Sequence, residues 1–351
     1  MKRAIIIFCL ILTVMISGAR AQTATKMFKG SIGSAKFQMT LTRDGDKISG
    51  NYFYEKSGSA NKLNLRGEIQ PDGNFTLVET DASGKQTGVF KGTWKDDETT
   101  SGAILDGNWS KPQGAETYFT AVEQSIYLTD GLSIATRNIK EKNLPKLFEI
   151  EVGYPQIVGS NAAGILKFNL RAKEITNKPL AQFKKDMLAQ TAEDLKYIKK
   201  VGMNYMDIGF DIAYATNDFA SVQFSDSVFT GGAHPNYFTF TLNYDLKNNR
   251  ELSLADLFKP KSDYLKVISE YCIARLKAQT EEMTDDEWLK NGAGADAKNF
   301  KSWNITEKGL MINFDPYQVA AYAAGPQTVI IPFEKLKDIL SENFPAGVLQ
   351  K

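Results

Sequence analysis

Histidine and cysteine are scarce in this chain: 351 residues contain one histidine, His234, and two cysteines, Cys9 and Cys272. That scarcity excludes several mechanisms. Zinc hydrolases and metal-dependent polysaccharide deacetylases draw on several N, S or O ligands, usually two or more histidines. A serine hydrolase would have His234 as its sole histidine base, and there is no G-x-S-x-G elbow to present a serine. No G-x-x-x-x-G-K-[ST] loop is present to cradle phosphates. Gly292-Ala293-Gly294 with Ala297 imitates a dinucleotide fingerprint, but it follows the acidic segment Glu281–Lys290 instead of an apolar strand. No cofactor and no metal site are therefore expected. Cys9 falls in the apolar N-terminal stretch, so an internal disulfide is not expected. Cys272 shares one helical face with Leu265, Ile268 and Leu276 and reads as a small buried residue.

Charge of one sign is also missing. Lys2, Arg3 and Arg20 precede the expected mature start, and without them the balance is 39 basic to 41 acidic residues. Nucleic-acid binding normally needs a basic stripe, so no nucleic-acid partner is expected. The acidic run Glu281, Glu282, Asp285, Asp286, Glu287 reads as a solvated helix end. Beyond the N-terminus no apolar run approaches the ~20 residues of a membrane-spanning helix, so no membrane span is expected in the mature chain.

The N-terminus itself carries a signal. Met1-Lys2-Arg3 is followed by an apolar stretch from Ala4 to Ile16, and Ala19-Arg20-Ala21 places small residues where a signal peptidase reads. Residues 1–21 are expected to be a cleavable signal peptide, so the protein is expected to be exported to a periplasm or the exterior. The remaining 330 residues exceed a usual single core and predict more than one domain.

Two regions differ in pattern. In 22–122, Phe37, Met39 and Leu41 alternate with polar residues before the turn at Asp44-Gly45. Pro71-Asp72-Gly73 and Ser83-Gly84 mark further turns. Glycine followed closely by an aromatic recurs at Gly50/Tyr52, Gly88/Phe90, Gly92/Trp94 and Gly107/Trp109. This region is expected to be an all-β antiparallel barrel or sandwich whose aromatics fill the core and cap strand ends. Residues 123–149 read as a transition segment. From 150 to 351 strands alternate with helices. Asn177-Lys178-Pro179 predicts a helix start running to Gly202, and Ser262 predicts a cap for the helix carrying Cys272. Strands are expected near Tyr205–Tyr214, Ala220–Phe229, Tyr237–Tyr244, Leu310–Phe314 and Thr328–Ile331. This half is expected to be α+β, with helices on a largely antiparallel sheet, making the protein multidomain.

Two loops in this half stand out. Phe229-Thr230-Gly231-Gly232-Ala233-His234-Pro235-Asn236 leads into the strand beginning at Tyr237, and Leu252-Ser253-Leu254-Ala255-Asp256-Leu257-Phe258 follows. Further on, Asn313-Phe314-Asp315-Pro316-Tyr317 runs through Tyr322-Ala323-Ala324-Gly325-Pro326 to Pro332-Phe333. In this order the motifs resemble the extracytoplasmic domain family shared by the lysozyme-binding anti-sigma factor RsiV and the module preceding the catalytic domain of the peptidoglycan deacetylase PdaC. The resemblance covers about Ile150 to Leu340 and does not reach the N-terminal β region. It implies recognition of a protein or a glycan. The resemblance stops short of an anti-sigma role, because only Met1-Lys2-Arg3 precede the apolar run, and short of a catalytic deacetylase domain.

The chain is accordingly expected to be a non-enzymatic envelope protein that binds a lysozyme-like hydrolase or peptidoglycan. Gly231, Gly232, His234, Pro235, Asn236, Tyr237, Asp315, Pro316, Tyr317 and Tyr322 are its candidate ligand-binding residues. A structural role for the same loops stands beside that reading: glycines for turns, His234 fixing a loop, tyrosines filling a core. Two rivals belong to other classes, a cell-wall hydrolase using two carboxylates and a structural or assembly module. The sequence does not set the oligomeric state.

Overall fold

The computed structural model describes residues 24–57, 60–96, 102–129, 131–280, 284–342 and 344. The expected signal peptide, and Glu281 and Glu282 of the acidic run, lie outside them.

Eight antiparallel strands form a closed barrel: β1 (Ala24–Ile32), β2 (Ala35–Asp44), β3 (Lys47–Tyr54), β4 (Leu63–Ile69), β5 (Asn74–Thr80), β6 (Gln86–Asp96), β7 (Ala103–Ser110) and β8 (Glu116–Gln124). β1 pairs with β8 and shuts it. Alternation sends every second side chain inward. Phe28, Phe37, Leu41, Tyr52, Leu77, Phe90 and Phe119 are all buried and fill the interior. The recurring glycines have a packing cause. A Cβ at Gly50 would lie 2.0 Å from the Thr40 carbonyl oxygen, and one at Gly67 would lie 1.8 Å from that of Thr76. Glycine lets the curved strands approach where a side chain would not fit. Two carboxyl groups are buried in the barrel, Glu79 and Glu123. Glu79 accepts hydrogen bonds from the Tyr52 hydroxyl at 2.6 Å, Thr87 Oγ1 at 2.6 Å and Trp109 Nε1 at 2.7 Å.

A seven-stranded sheet follows. Its main order is β10 (Ser133–Asn143), β11 (Phe148–Val158), β12 (Asn204–Thr216), β13 (Phe219–Phe229), β14 (Asn236–Asp245) and β15 (Arg250–Glu251), and β9 (Ile126–Tyr127) lies beside β12. Pairing is antiparallel except for β11–β12 and β9–β12, which are parallel. Residues 123–149, read from the sequence as a transition, thus hold the end of β8, β9 and β10. β10 escapes notice because it is an edge strand: it pairs with β11, and its apolar Ile134 and Ile139 lack a regular alternation and lie among Arg137, Lys140, Glu141 and Lys142.

Helix α1 (Ala163–Ala189) packs on this sheet through Phe168, Ala172, Leu180, Phe183 and Met187, and α2 (Ala192–Val201) follows it. The helix expected to begin near Pro179 instead runs through it. A proline removes one backbone donor from a helix interior. Here the Thr176 hydroxyl bonds back to the Ala172 and Lys173 carbonyls in the same turn. The apolar face bridging α1 and β11 outweighs the local signal. The break falls later, at Gln190, where the Thr191–Asp194 capping box opens α2.

The last layer is a three-stranded sheet, β16 (Trp303–Ile305), β17 (Gly309–Phe314) and β18 (Gln327–Pro332), packed with α3 (Tyr264–Thr280), α4 (Asp286–Ala293) and α5 (Phe333–Leu336). The Ser262 hydroxyl donates to the Lys259 carbonyl, so it does not cap α3. Cys272 is buried between Ile268 and Leu276 on the inner face of α3, as the sequence pattern predicts. A buried polar network joins the two sheets. Ser221 donates to Asn243 at 2.6 Å, Asn243 to the Trp303 carbonyl at 2.8 Å and Asn304 to Ser221 at 2.9 Å.

Candidate functional site

The glycine loop, residues 230–235, joins β13 to β14. Gly231 and Gly232 have φ of 91° and 117°, which a side-chain-bearing residue rarely adopts. A Cβ at Gly231 would lie 3.3 Å from the Tyr197 ring, so the loop rests on α2. Pro235 then turns the chain into β14, whose first residues Asn236, Tyr237 and Phe238 are exposed.

His234 and Tyr322 bring the two sequence motifs together. Their rings stack with centroids 3.8 Å apart and planes 20° apart. The Tyr322 hydroxyl donates to the Pro235 carbonyl at 2.7 Å, and His234 Nδ1 lies 2.9 Å from the same oxygen. A carbonyl can only accept, so Nδ1 carries a hydrogen in this arrangement. Tyr317 lies against Tyr322, with centroids 5.4 Å apart. Burial pushes the Tyr322 hydroxyl above its ordinary pKa, with Tyr237, Tyr317 and Tyr205 adding to the effect. Tyr322 thus links His234 on one side to further tyrosines on the other.

The second loop is braced from several sides. Asp315 is half-buried, and its Oδ1 accepts the backbone N–H of Thr239 at 2.7 Å. That bond covers part of the open edge of β14, and Ser302 Oγ covers the Thr239 carbonyl from the same side at 2.5 Å. Burial raises the Asp315 carboxyl, against the lowering effect of the Thr239 N–H. Pro316 leads into Tyr317, which sits at φ 69° with its ring 57% exposed. The Trp288 indole N–H donates to the Tyr317 carbonyl at 2.9 Å, and the Gln318 side chain donates to the Gly292 and Asn299 carbonyls. Gly292 thus lies inside α4 against the 315–318 turn. Asp285 and Asp286 are likewise explained: Asp285 caps α4, and Asp286 pairs with Lys277 at 2.6 Å.

The structure divides the expected residues by task. Gly231, Gly232, Pro235, Asp315 and Pro316 shape and anchor backbone. His234 and Tyr322 form an internal stack that ties one loop to the other. Asn236, Tyr237 and Tyr317 face solvent. Sequence reasoning missed Tyr197, Tyr205, Phe229, Phe238 and Trp288. Tyr205 and Phe229 stack at 5.8 Å across β12 and β13, and Tyr197, Tyr237 and Phe238 are 53%, 44% and 51% exposed. Strand and helix patterns place these residues as ordinary members of their elements. Pairing across β12, β13 and β14 brings Tyr205, Phe229 and Tyr237 to one face of the sheet.

One further group lies close by. Asp226 on β13 stands between Ile208 of β12 and Phe238 of β14 in the pairing register and is only 5% exposed. Its Oδ1 has no hydrogen-bond partner. Burial, with a smaller contribution from Asp207, raises its carboxyl to about 7. Among the described residues no group of three or more His, Cys, Asp or Glu side chains is placed to hold a metal ion. The arrangement offers aromatic faces, phenol hydroxyls and turn backbone, which suit stacking and hydrogen bonding.

Fold and surface together define a two-part protein: a filled β-barrel joined to an α+β region with an exposed aromatic cluster. The comparisons place the second part. Residues 141–237 match the family described as Deacetylase PdaC, and residues 255–334 match the Protein of unknown function (DUF3298) family. The C-terminal region carries both domains. The chain is 30% identical over 199 residues to peptidoglycan-N-acetylmuramic acid deacetylase PdaC of Bacillus subtilis, covering 57% of this chain and 40% of that protein. It is 24% identical over 111 residues to immunogenic protein MPT64 of Mycobacterium tuberculosis, covering 32% of this chain and 47% of that one. The chain thus spans less than half the length of each of these relatives. A crystal structure of a DUF3298 family member from Bacteroides fragilis superposes with TM-score 0.50 at 23% identity, over 64% of this chain and 99% of that chain. That likeness concerns the fold. Among the described residues no helix is long and apolar enough to cross a membrane.

Proposed function

We propose that this is an exported cell-envelope protein whose α+β half binds a cell-wall glycan of the peptidoglycan type through the Tyr237, Tyr317 and Tyr322 surface. The observation that carries the reading is Tyr317. A tyrosine at φ 69° is strained by about 1 kcal/mol, and a core-filling ring would offset that through burial. This ring is mostly in solvent, held out by a proline before it and an indole bonded to its carbonyl. Rings fixed beside phenol hydroxyls suit sugar faces, which offer axial C–H groups for stacking and hydroxyls for hydrogen bonds. The relation to a peptidoglycan deacetylase and the signal-like residues 1–21 support an envelope setting.

The test is co-sedimentation of the purified chain with insoluble peptidoglycan, with lysozyme capture measured in parallel. Saturable sedimentation lost in Tyr317→Ala, with unchanged thermal unfolding, is the expected result. Capture by lysozyme alone would move the ligand to the protein class, and binding to neither would return the loops to a structural role.

A carboxylate-dependent hydrolase is the second reading, favoured by one observation. Asp226 is buried on β13 with its Oδ1 unpartnered, and burial raises its carboxyl to about 7, the protonated state a general acid needs. Release of reducing ends from peptidoglycan, abolished in Asp226→Asn, would establish it.

A further inference from the structure

Between the barrel and the seven-stranded sheet lie two cavities of about 550 Å³ and about 310 Å³. Both are lined by Lys29, Glu55, Asn138 and Phe210, so they form one continuous cleft. It shares no residue with the aromatic surface. Its size falls within the range of small-molecule sites.

The cleft changes character along its length. At one end Phe53, Ile126, Leu132 and Ile134 form an apolar wall. Phe53 stands between Tyr52 and Tyr54, which pack with the barrel core, so alternation along β3 directs it outward. At the other end Lys36, Asp207 and Asp211 gather over Gly153 and Gly209, whose bare backbone leaves room above the sheet. The gap is propped open. Lys29 Nζ donates to the Phe210 carbonyl at 2.8 Å, Gln124 Oε1 accepts the Ile212 N–H at 3.0 Å, and β9 pairs with β12. These clamps fix the spacing of barrel and sheet.

Charge selects the occupant. The Lys29 ammonium is committed to the Phe210 carbonyl and stands 3.9 Å over the Phe210 ring. Glu151 is paired with Lys140 at 2.6 Å. Glu55 takes one hydrogen bond, from Gln38 at 3.2 Å. Asp207 is half-buried, no hydrogen bond to its carboxylate is seen among the described residues, and burial raises its carboxyl while Lys36 draws it down. Glu55, Asp207 and Asp211 thus line the cleft, with Lys36 close enough to Asp207 to act on its carboxyl. A ligand that brought a further carboxylate would meet repulsion and desolvation together. We propose that the cleft binds a small amphipathic molecule bearing a protonated amine, its apolar body against Phe53, Leu132 and Ile134 and its ammonium beside Asp207 and Glu55.

Calorimetry on the purified chain with decylamine, 1-decanol and decanoate, each below its micelle concentration, tests this. Decylamine should bind saturably at one site, and decanoate about tenfold more weakly or worse. Asp207→Asn should remove most of the preference for the amine over the alcohol, while Phe53→Ser should weaken both. Circular dichroism checks that each variant folds, and Leu132→Ser replaces Phe53→Ser if that variant does not. Equal affinity for decylamine and decanoate, no saturable binding of any probe, or an unchanged preference in Asp207→Asn would overturn the proposal. Peptidoglycan sedimentation of Asp207→Asn, run alongside, keeps this outcome separate from that of the aromatic surface.

Discussion

The barrel and the α+β half use aromatic residues in opposite ways. In the barrel, Phe28, Phe37, Tyr52, Phe90 and Phe119 point inward and are at most 1% exposed, and the one hydroxyl among them, on Tyr52, is hydrogen-bonded. Burial and the Glu79 carboxylate both push that hydroxyl far above the ordinary tyrosine range, so it remains a donor. In the second half, Tyr197, Tyr237, Phe238 and Tyr317 are 44–57% exposed around the two loops. The first arrangement is explained by closing a small barrel, where rings fill what glycines leave open. The second is not explained by packing, because exposed rings bury little apolar area and the turn that holds Tyr317 is strained. A filled interior and an outward-facing ring cluster therefore point to different duties, scaffold for one region and contact for the other.

Four substitutions sharpen or break that contrast. The largest loss of stability is expected in the barrel. Glu79→Ala removes the acceptor of the buried Tyr52 hydroxyl and of the half-buried Thr87 and Trp109 donors, each bond contributing ~1.5 kcal/mol or somewhat less where solvent reaches it, so it should cost about 3 kcal/mol in denaturant unfolding. Peptidoglycan binding by any remaining folded protein should be unaffected. Loss of binding at unchanged stability would place the ligand in the barrel instead.

Next comes Asp226→Asn, read as stability against pH. Folding raises this carboxyl from 3.8 to about 7, so the folded state binds the extra proton between those values. The stabilisation is complete below about pH 4, falls as pH rises toward 7 and is flat above it. The asparagine variant should lack this slope. At pH 8 it should be more stable than the parent by no more than about 4 kcal/mol, at ~1.4 kcal/mol per unit. Thermal unfolding at pH 4 and pH 8 measures the difference, and parallel curves for the two proteins would mean that Asp226 is not the titrating group.

Tyr322→Phe removes the bond to the Pro235 carbonyl but keeps the stack on His234. It should lower the unfolding midpoint only slightly and weaken peptidoglycan binding severalfold by loosening one loop from the other. The smallest change is Tyr317→Gly. Glycine accepts φ 69° freely, so folding stability should rise or hold within about 1 kcal/mol, whereas binding should fall about as far as in Tyr317→Ala. A variant both less stable and fully binding would show the ring to be packing material.

Much of the fold was legible locally. Alternation of Phe37, Met39 and Leu41 and the turns at Asp44-Gly45 and Pro71-Asp72-Gly73 read directly as strands and hairpins. Strands β12, β13 and β14 were visible in their apolar pattern to within one or two residues at each end. The reading failed where a local signal met a stronger tertiary one. Pro179 looked like a helix start, yet the apolar face from Phe168 to Met187 continues across it against β11. β10 looked like linker because Arg137, Lys140, Glu141 and Lys142 break up its apolar residues on an edge strand. The bond from the Thr239 N–H to Asp315 across the edge of β14 was not legible, because it spans 76 residues of chain.

The sequence by itself determined the element types, the two-part composition and the two loops built around Gly231-Gly232 and Asp315-Pro316-Tyr317, because each depends on residues close in the chain. Only the tertiary structure decided that β1 closes on β8, that His234 stacks on Tyr322 from a loop 88 residues away, and that a cleft opens between barrel and sheet. Those features depend on register and on which faces meet across long sequence separations. Neither is encoded in the order of residues within any one element.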